Sequence, residues 1–300
     1  MRTCTWFASL VFAATIVPAP AAEPHCPGNV ASLPFRLANG QQIVLAVSIN
    51  HTGPYNFLLD SGTQSTIIDL YLAAALHLDT QGAAVVAGLG SRKSASVAQV
   101  DLIEVGAHAV ANQKVLVYDL GNLDSADLHL QGILGDDFLE HFDLLIDNAT
   151  RLLCLDNLAT MRAEVKGPRI PLLATDEADG GGLLIITARL SAGLRPVRLL
   201  LDSGANVAIL FNTFEYMTLQ LSYDVQVQGR GVDGMQRIFS ALPAQEVNIG
   251  PLELPQVHFF GLAGLRKDVR AKGFDGDLPT GLFRRVFIDN GDHFAVLEPR

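Results

Sequence analysis

The chain has 300 residues, of which 49% are hydrophobic and 17% charged, and this composition suits a folded protein of about two domains and excludes a disordered one. Its formal net charge of −10, from 31 acidic and 21 basic residues, disfavours binding to nucleic acids or to anionic membranes. Three cysteines are too few for a Cys4 zinc site or for a fold held mainly by disulfides.

The N-terminal segment has the three parts of a secretory signal peptide. Arg2 precedes an apolar run over residues 6–17, and an alanine-rich stretch follows at 18–22. The run is shorter than the ~20 residues that span a bilayer, so we expect removal of residues 1–22 rather than a membrane anchor. The mature protein is then exported and free of the membrane.

Removal of this segment takes away Cys4 and leaves Cys26 and Cys154. Two cysteines in an exported protein favour one disulfide, because the compartment is oxidising. Two unpaired thiols are the alternative.

The predicted elements run in the same order in two parts of the chain. In the first part, a strand over 43–49 and a strand ending at Asp60 precede a short helix over 69–78, several β-segments, a short helix over 136–141 and a hairpin. The second part has a strand over 183–190, a strand ending at Asp202, helices over 212–221 and 281–285 and a final hairpin. An acidic, glycine-rich loop over 176–182 opens this part.

Sequence matches at one spacing indicate an internal repeat. Asp60-Ser61-Gly62 recurs as Asp202-Ser203-Gly204, and Asp147-Asn148 recurs as Asp289-Asn290, each 142 residues later. Pro54 and Pro196 share this spacing. We therefore predict an all-β, bilobed protein with two β-barrel-like lobes related by a pseudo-twofold axis and a few short helices. The predicted lobes are residues 23–156 and 170–300, with a linker at 157–169.

Asp60 and Asp202 are the leading catalytic candidates. Each follows a hydrophobic strand and precedes Ser-Gly, so the strand fixes the carboxylate and the glycine permits a tight turn. A single Asp-Ser-Gly is usually only a turn, but two copies at the repeat spacing favour a functional pair. If the loops meet, the two carboxyls share one proton, and one acts as a base on water while the other polarises a carbonyl.

The repeated Asp-Ser-Gly pattern, together with Gly132-Ile133-Leu134-Gly135, resembles that of the aspartic peptidases. The chain is most similar to the bacterial retropepsin-like group, here with two lobes in one chain as in pepsin. The resemblance implies a monomeric endopeptidase of the periplasm or the medium, a polypeptide substrate and no cofactor. It also implies that Ile133, Leu134 and Gly135 pack beneath the first loop and that the catalytic pair is held by six residues: Ser61, Gly62, Thr63, Ser203, Gly204 and Ala205.

Two departures from the family pattern bear on activity. Where the first lobe has Ile133-Leu134-Gly135, the second has Asp277-Leu278-Pro279-Thr280-Gly281, and proline removes an amide donor. The flap that covers the cleft in the family corresponds here to four glycines without an obvious tyrosine: Gly88, Gly90, Gly231 and Gly234.

The residue after each Asp-Ser-Gly also differs between the loops. Thr63 offers Asp60 a further hydrogen bond, whereas Ala205 is expected to give Asp202 none. We therefore expect Asp202 to hold the shared proton.

Other chemistries fit the sequence less well. Residues 229–234 spell G-x-G-x-x-G, but a strand-like segment follows instead of the helix that a dinucleotide site needs, so we interpret them as a hairpin turn. Eight scattered histidines form no zinc motif, and no nucleophile elbow surrounds a serine. The remaining alternative to a peptidase is a non-catalytic protein that binds a peptide or an apolar ligand in the same cleft.

Overall fold

The structure is a computed structural model, and it describes residues 25–88, 92–124, 128–173, 182–211, 225–232, 234–262 and 273–300. The predicted signal peptide at 1–22 and the predicted helix at 212–221 lie outside the described residues, as does all of the predicted acidic loop except Gly182.

Within the described residues the chain is mostly β-strand, as the sequence predicts. The described residues of the first part contain eleven strands and two short α-helices, in this order: β1 (Ser32–Pro34), β2 (Arg36–Ala38), β3 (Gln42–Ile49), β4 (Thr52–Leu59), β5 (Ile67–Asp69), α1 (Leu70–Ala75), β6 (Thr80–Ala87), β7 (Arg92–Val105), β8 (His108–Tyr118), β9 (Gly132–Leu134), α2 (Asp136–Leu139), β10 (Asp143–Asp147) and β11 (Leu152–Asp156).

The second part contributes twelve strands among the residues described: β12 (Ile170–Pro171), β13 (Ile185–Leu190), β14 (Val197–Asp202), β15 (Ala208–Leu210), β16 (Gln226–Arg230), β17 (Gln236–Ala241), β18 (Gln245–Ile249), β19 (Leu252–Val257), β20 (Phe259–Leu262), β21 (Gly276–Pro279), β22 (Phe283–Asp289) and β23 (Phe294–Pro299). The predicted helix at 281–285 is wrong, because Thr280–Leu282 is one 3-10 turn and β22 begins at Phe283. No helix among the residues described is both long enough and apolar enough to cross a membrane.

Two sheets carry the same central arrangement of strands. An eight-stranded sheet has the order β2-β3-β4-β9-β5-β8-β7-β6, and β3 also pairs with β7, so that the sheet curls back on itself. A nine-stranded sheet has the order β16-β17-β20-β15-β21-β14-β13-β18-β19. In the first of these sheets, β4 leads to Asp-Ser-Gly and pairs in parallel with β9, which pairs antiparallel with β5. In the second, β14 leads to Asp-Ser-Gly and pairs in parallel with β21, which pairs antiparallel with β15.

A third sheet joins the two parts of the chain. Its order is β1-β11-β10-β22-β23-β12, and β10 pairs directly with β22. Neither of the two final hairpins therefore lies in the sheet of its own part. A single core of buried apolar residues, which includes Leu144 and Ile288, extends through this sheet into both parts.

Two asparagines cross from one part to the other beside this sheet. The Asn148 side chain donates hydrogen bonds of 3.1 Å to the carbonyls of Thr280 and Phe283. Asn290 donates in the same way to Leu139, at the end of α2, and to Phe142. The recurrence of Asp-Asn in the sequence thus corresponds to a reciprocal contact in which each hairpin satisfies carbonyls of the opposite part.

The N-terminal segment is attached to the third sheet by a disulfide between Cys26 and Cys154, both buried, with Cα atoms 5.8 Å apart. Of the two alternatives for these cysteines, the structure has the bridge. Because the bond closes a loop of 128 residues, it greatly restricts the unfolded chain.

The predicted linker at 157–169 packs against the third sheet through Arg162. The guanidinium contacts the fully buried Asp289 and lies 2.6 Å from Asp292 and 3.6 Å from Asp143. Burial, followed by the neighbouring Asp289, raises the pKa of Asp143, and Arg162 opposes that shift. Arg162 thus compensates two buried acids, one from each part of the chain.

Replacement of Arg162 by leucine should lower the free energy of unfolding by about 3 kcal/mol, because two buried carboxylates would lose their counter-ion. Urea unfolding at pH 7 measures the change. The matched control is Arg284→Leu, which removes a solvent-exposed ion pair of 3.9 Å with Glu298 and should cost less than about 1 kcal/mol. Equal losses in the two variants would contradict this role of Arg162.

Candidate active site

The two Asp-Ser-Gly loops lie at the ends of equivalent strands. Asp60 directly follows β4 and Asp202 is the last residue of β14. The three residues before each aspartate, 57–59 and 199–201, are buried, so each aspartate is presented from a rigid element. Both aspartates are partly exposed at the cleft.

The serines of the two loops bind each other's loops. Ser61 Oγ donates to the carbonyl of Leu201 at 2.8 Å and accepts the amide of Ser203 at 3.0 Å. Ser203 Oγ donates to the carbonyl of Leu59 at 2.9 Å and accepts the amide of Ser61 at 3.0 Å. Both serines are 1% exposed, so these four bonds are shielded from water and fix one loop against the other.

The glycines permit the close approach of the two carboxyl groups. A Cβ atom added at Gly62 would lie 2.8 Å from Cγ of Asp202, and one added at Gly204 would lie 2.5 Å from Cγ of Asp60. Each carboxyl therefore rests on the backbone of the opposite loop. The glycines are required here for space, and the two aspartates meet as the sequence analysis expects.

Asp60 receives two hydrogen bonds from its own loop. The Gly62 amide donates to Oδ1 and the Thr63 hydroxyl donates to Oδ2, both at 2.9 Å. Both donors favour the ionised carboxylate.

Asp202 also receives two donors, and one was not expected. The amides of Gly204 and Ala205 donate to Oδ1 at 2.7 and 3.0 Å. The expectation that Ala205 gives no hydrogen bond is wrong, because its backbone N–H replaces the hydroxyl that Thr63 supplies. Burial raises the pKa of Asp202 well above its ordinary value, with further contributions from Asp60 and then Asp277, and these outweigh the two amides. The raised pKa of Asp202 has the direction that the sequence analysis expects, but its causes are burial and the neighbouring carboxyls and not a missing hydrogen bond.

The support beneath the first loop has the predicted residues. The Asp60 amide donates to the Leu134 carbonyl at 3.0 Å, and Leu134 is fully buried. Gly135 packs so closely on the loop that an added Cβ would lie 2.6 Å from the Ser65 carbonyl carbon. Ile133, the third predicted residue, lines the cleft instead of lying wholly beneath the loop.

The second loop is supported by the same pairing up to the proline. β14 pairs in parallel with β21 from Leu199 opposite Gly276 to Asp202 opposite Pro279. The strand pairing thus continues to Pro279, and the loss of an amide donor is confined to the end of β21.

A cleft of about 430 Å³ opens between the two parts of the chain and contains both aspartates. Hairpins from both parts reach it, β6–β7 through Gly88 and β16–β17 through Gly231. Gly234, at the turn of the second hairpin, packs against the side chain of Asn122. Gly90, the remaining flap candidate, lies outside the described residues.

The G-x-G-x-x-G stretch at 229–234 belongs to this second hairpin. It is followed by the strand Gln236–Ala241 and not by a helix, so it lacks the helix N-terminus on which a dinucleotide pyrophosphate rests. Among the described residues, no three His, Cys, Asp or Glu side chains converge in a way that could hold a metal ion.

Sequence reasoning missed the roles of four polar residues at the site. Gln42 reaches across the cleft, and its side-chain amide donates to the Gly204 carbonyl at 3.0 Å. Thr66 and Asp137 bind each other at 2.6 Å and fasten the end of the first loop to α2. Asp277 lines the cleft beside Asp202. Only Asp277 had a signal in the sequence, since it replaces the isoleucine of Ile133-Leu134-Gly135 in the second part.

Comparisons with known proteins agree with this geometry. A model of the family described as aspartyl protease matches residues 45–138, from β3 to α2. The crystal structure of an aspartic proteinase from Irpex lacteus matches with a TM-score of 0.56 and covers 90% of this chain and 97% of that one, at 12% identity, so the likeness shows a shared fold. No curated protein sequence matches.

Asp136, directly after the first-loop support, is a buried acid that packs against the second part of the chain. It is 1% exposed, and the amide of Gly182 hydrogen-bonds to its carboxylate. Burial raises its pKa to about 7, and Glu140 and then Asp137 add to the rise.

Because the folded protein binds this proton more tightly than the unfolded chain, stability should fall as the pH rises from about 4 to about 7. The Asp136→Asn variant removes this contribution, and its free energy of unfolding at pH 8 should exceed that of the wild type by up to roughly 4 kcal/mol. Urea unfolding of both proteins at pH 5 and pH 8 measures the difference. Glu140→Gln should give a smaller change of the same sign, and identical pH dependences for wild type and Asp136→Asn would refute the argument.

Proposed function

We propose that this protein is an exported aspartic endopeptidase that cleaves extended polypeptides, with Asp60 and Asp202 as its catalytic pair. The observation that carries the proposal is the contact of each carboxyl group with the glycine of the opposite loop, at the base of a cleft. Two carboxyls this close share a proton, which supplies a base and an acid at one point.

In the proposed reaction, Asp60 is the base and Asp202 is the acid. A water molecule attacks the carbonyl carbon of the substrate, gives its proton to Asp60, and the proton of Asp202 passes to the carbonyl oxygen. The tetrahedral intermediate carries two hydroxyl groups, and one of them returns its proton to Asp202 as the C–N bond breaks and a carboxylic acid forms. The leaving nitrogen takes up the proton held by Asp60. The pair returns to its starting state with one proton, and no covalent enzyme intermediate or cofactor is required.

The proposed substrate lies between the two hairpins that reach the cleft. An extended peptide offers a backbone N–H and C=O at every residue, and hairpin edges β6–β7 and β16–β17 offer matching groups. Since one chain supplies both aspartates and both hairpins, a monomer is sufficient.

The alternative function is a peptide-binding protein on the same fold. Pro279 favours it, because the proline ends the support of the second loop without an amide donor. The presence of both aspartates favours the peptidase.

The two functions are separated by cleavage of an unfolded protein at pH values from 3 to 7. Wild type should cleave, and Asp60→Asn and Asp202→Asn should each lose at least about a thousandfold in kcat, since either change removes the shared acid–base pair. Asp124→Asn is the control, because Asp124 lines the cleft but pairs with His129 at 2.6 Å. Tight peptide binding by wild type without any cleavage would favour the alternative.

A second prediction concerns the role of Thr63. Thr63→Ala removes the hydroxyl bond to the ionised form of Asp60, so the acid side of the pH–rate profile should move to higher pH by about one unit. The alkaline side reflects protonated Asp202 and should move less. An unchanged acid side in Thr63→Ala would show that Asp60 is not the base.

A further inference from the structure

Asp277 stands on the cleft face of the second sheet. In the parallel pair β14–β21, Leu200 lies opposite Asp277 and Asp202 lies opposite Pro279. Because side chains alternate along a strand, Leu200, Asp202 and Asp277 face the same side of the sheet. All three line the cleft, and Asp277 is 7% exposed.

The first sheet has an isoleucine at this point. Leu58 lies opposite Ile133 in the parallel pair β4–β9, as Leu200 lies opposite Asp277 in β14–β21. Ile67 and Ile209 are the antiparallel neighbours of Ile133 and Asp277 respectively. The two walls of the cleft therefore differ in charge at one equivalent position.

The surroundings of the two positions are otherwise alike in chemistry. Ile133 belongs to an apolar cluster with Leu58 and Leu130. Asp277 lies beside Leu200 and Ile209, which cluster with apolar residues of the second sheet such as Phe239 and Phe274. The neighbours of Ile133 and of Asp277 in the strand pairs are thus apolar in both sheets, and only the second sheet has a carboxylate at this position.

The charged side chains that line the cleft are acidic. Its charged lining residues among those described are four aspartates, with no lysine, arginine or histidine: Asp60, Asp124, Asp202 and Asp277. An acidic cleft with low-dielectric walls attracts positively charged groups.

We infer that Asp277 determines specificity: of the two substrate residues that flank the cleaved bond, the one facing the second sheet is lysine or arginine, and the one facing the first sheet is apolar. The inference rests on the proposed peptidase function. A basic side chain lying along Leu200 and Ile209 buries its methylenes on apolar surface and brings its charge to the Asp277 carboxylate.

The closeness of Asp277 to the catalytic pair agrees with this placement. After burial and Asp60, Asp277 is the next contributor that raises the pKa of Asp202. A substrate residue next to the cleaved bond must lie beside the aspartate pair, and Asp277 is a carboxylate that reaches this region from the second sheet.

The test uses competing peptides that differ only at the cleaved bond. Each contains Leu-Lys, Lys-Leu, Leu-Met or Met-Leu at its centre. Both orders are included because the proposal assigns one residue to each sheet and does not specify the direction in which the peptide runs through the cleft. When two peptides compete in one mixture, the measured quantity is the ratio of their kcat/KM values. A change in the catalytic pair that affects both peptides equally leaves this ratio unchanged. For wild type, one lysine peptide should exceed its methionine counterpart by about tenfold or more.

The variant Asp277→Ile copies the first sheet, and Asp277→Asn preserves the shape of the side chain. In both variants the lysine preference should fall by about tenfold or reverse, while the methionine peptides are still cleaved. Asp79→Asn is the matched control, because Asp79 is an exposed carboxylate that does not line the cleft, and its removal should leave the ratio unchanged. Thermal melting and cleavage of the methionine peptides identify a variant that fails to fold.

The outcomes separate this inference from the proposed function. Cleavage without a lysine preference in wild type, or with the same preference in Asp277→Asn, overturns the specificity role of Asp277 and leaves the peptidase intact. If wild type cleaves no peptide, the peptidase proposal fails. Fluorescence anisotropy then measures whether the protein binds the lysine peptides more tightly than the methionine peptides. Equal affinities for the two kinds of peptide overturn the inference that Asp277 selects a basic residue.

Discussion

The site depends on four hydrogen bonds that cross between the two Asp-Ser-Gly loops. Ser61 and Ser203 each donate to a carbonyl of the opposite strand and accept an amide of the opposite loop. Because both hydroxyls are excluded from water, a loop that moved away would leave buried polar groups unsatisfied. This cost holds the two carboxyl groups side by side, although they would repel each other if both were ionised.

Contacts behind the loops keep the two parts of the chain in register. The third sheet takes strands from both parts, and the asparagines at 148 and 290 each bind carbonyls of the opposite part. Arg162 adds an ionic contact to acids from both parts. The loops therefore meet on a rigid base, which suits a mechanism in which protons move over short fixed distances.

Much of this arrangement was predictable from local pattern. Hydrophobic runs gave the strands that carry Asp60 and Asp202, and the match of 145–148 with 287–290 marked the residues that cross between the parts. The helix expected at 281–285 was wrong, because the apolar residues from Phe283 pair with β23 and strand pairing overrides weak helical propensity.

Contacts between residues distant in sequence could not be predicted in the same way. Gln42 reaches Gly204 only because folding brings β3 against the second loop, and nothing in the local sequence marks it. The Ala205 amide was missed for another reason, since side-chain comparison ignores backbone donors. Asp277 was visible as a departure from Ile133, but its meaning required the strand register that places it on the cleft face.

The reciprocal packing of Gly62 and Gly204 has a consequence for how this molecule tolerates change. The carboxyl group of each aspartate packs against the glycine of the opposite loop. A methyl group added at Gly62 would therefore displace Asp202, and one added at Gly204 would displace Asp60, while the aspartate of the changed loop would stay nearly in place. The displaced carboxyl would lie 140 residues along the chain from a change at Gly62 (202 − 62) and 144 residues from a change at Gly204 (204 − 60). A substitution in one Asp-Ser-Gly loop is thus tolerated only if the opposite loop can accommodate it.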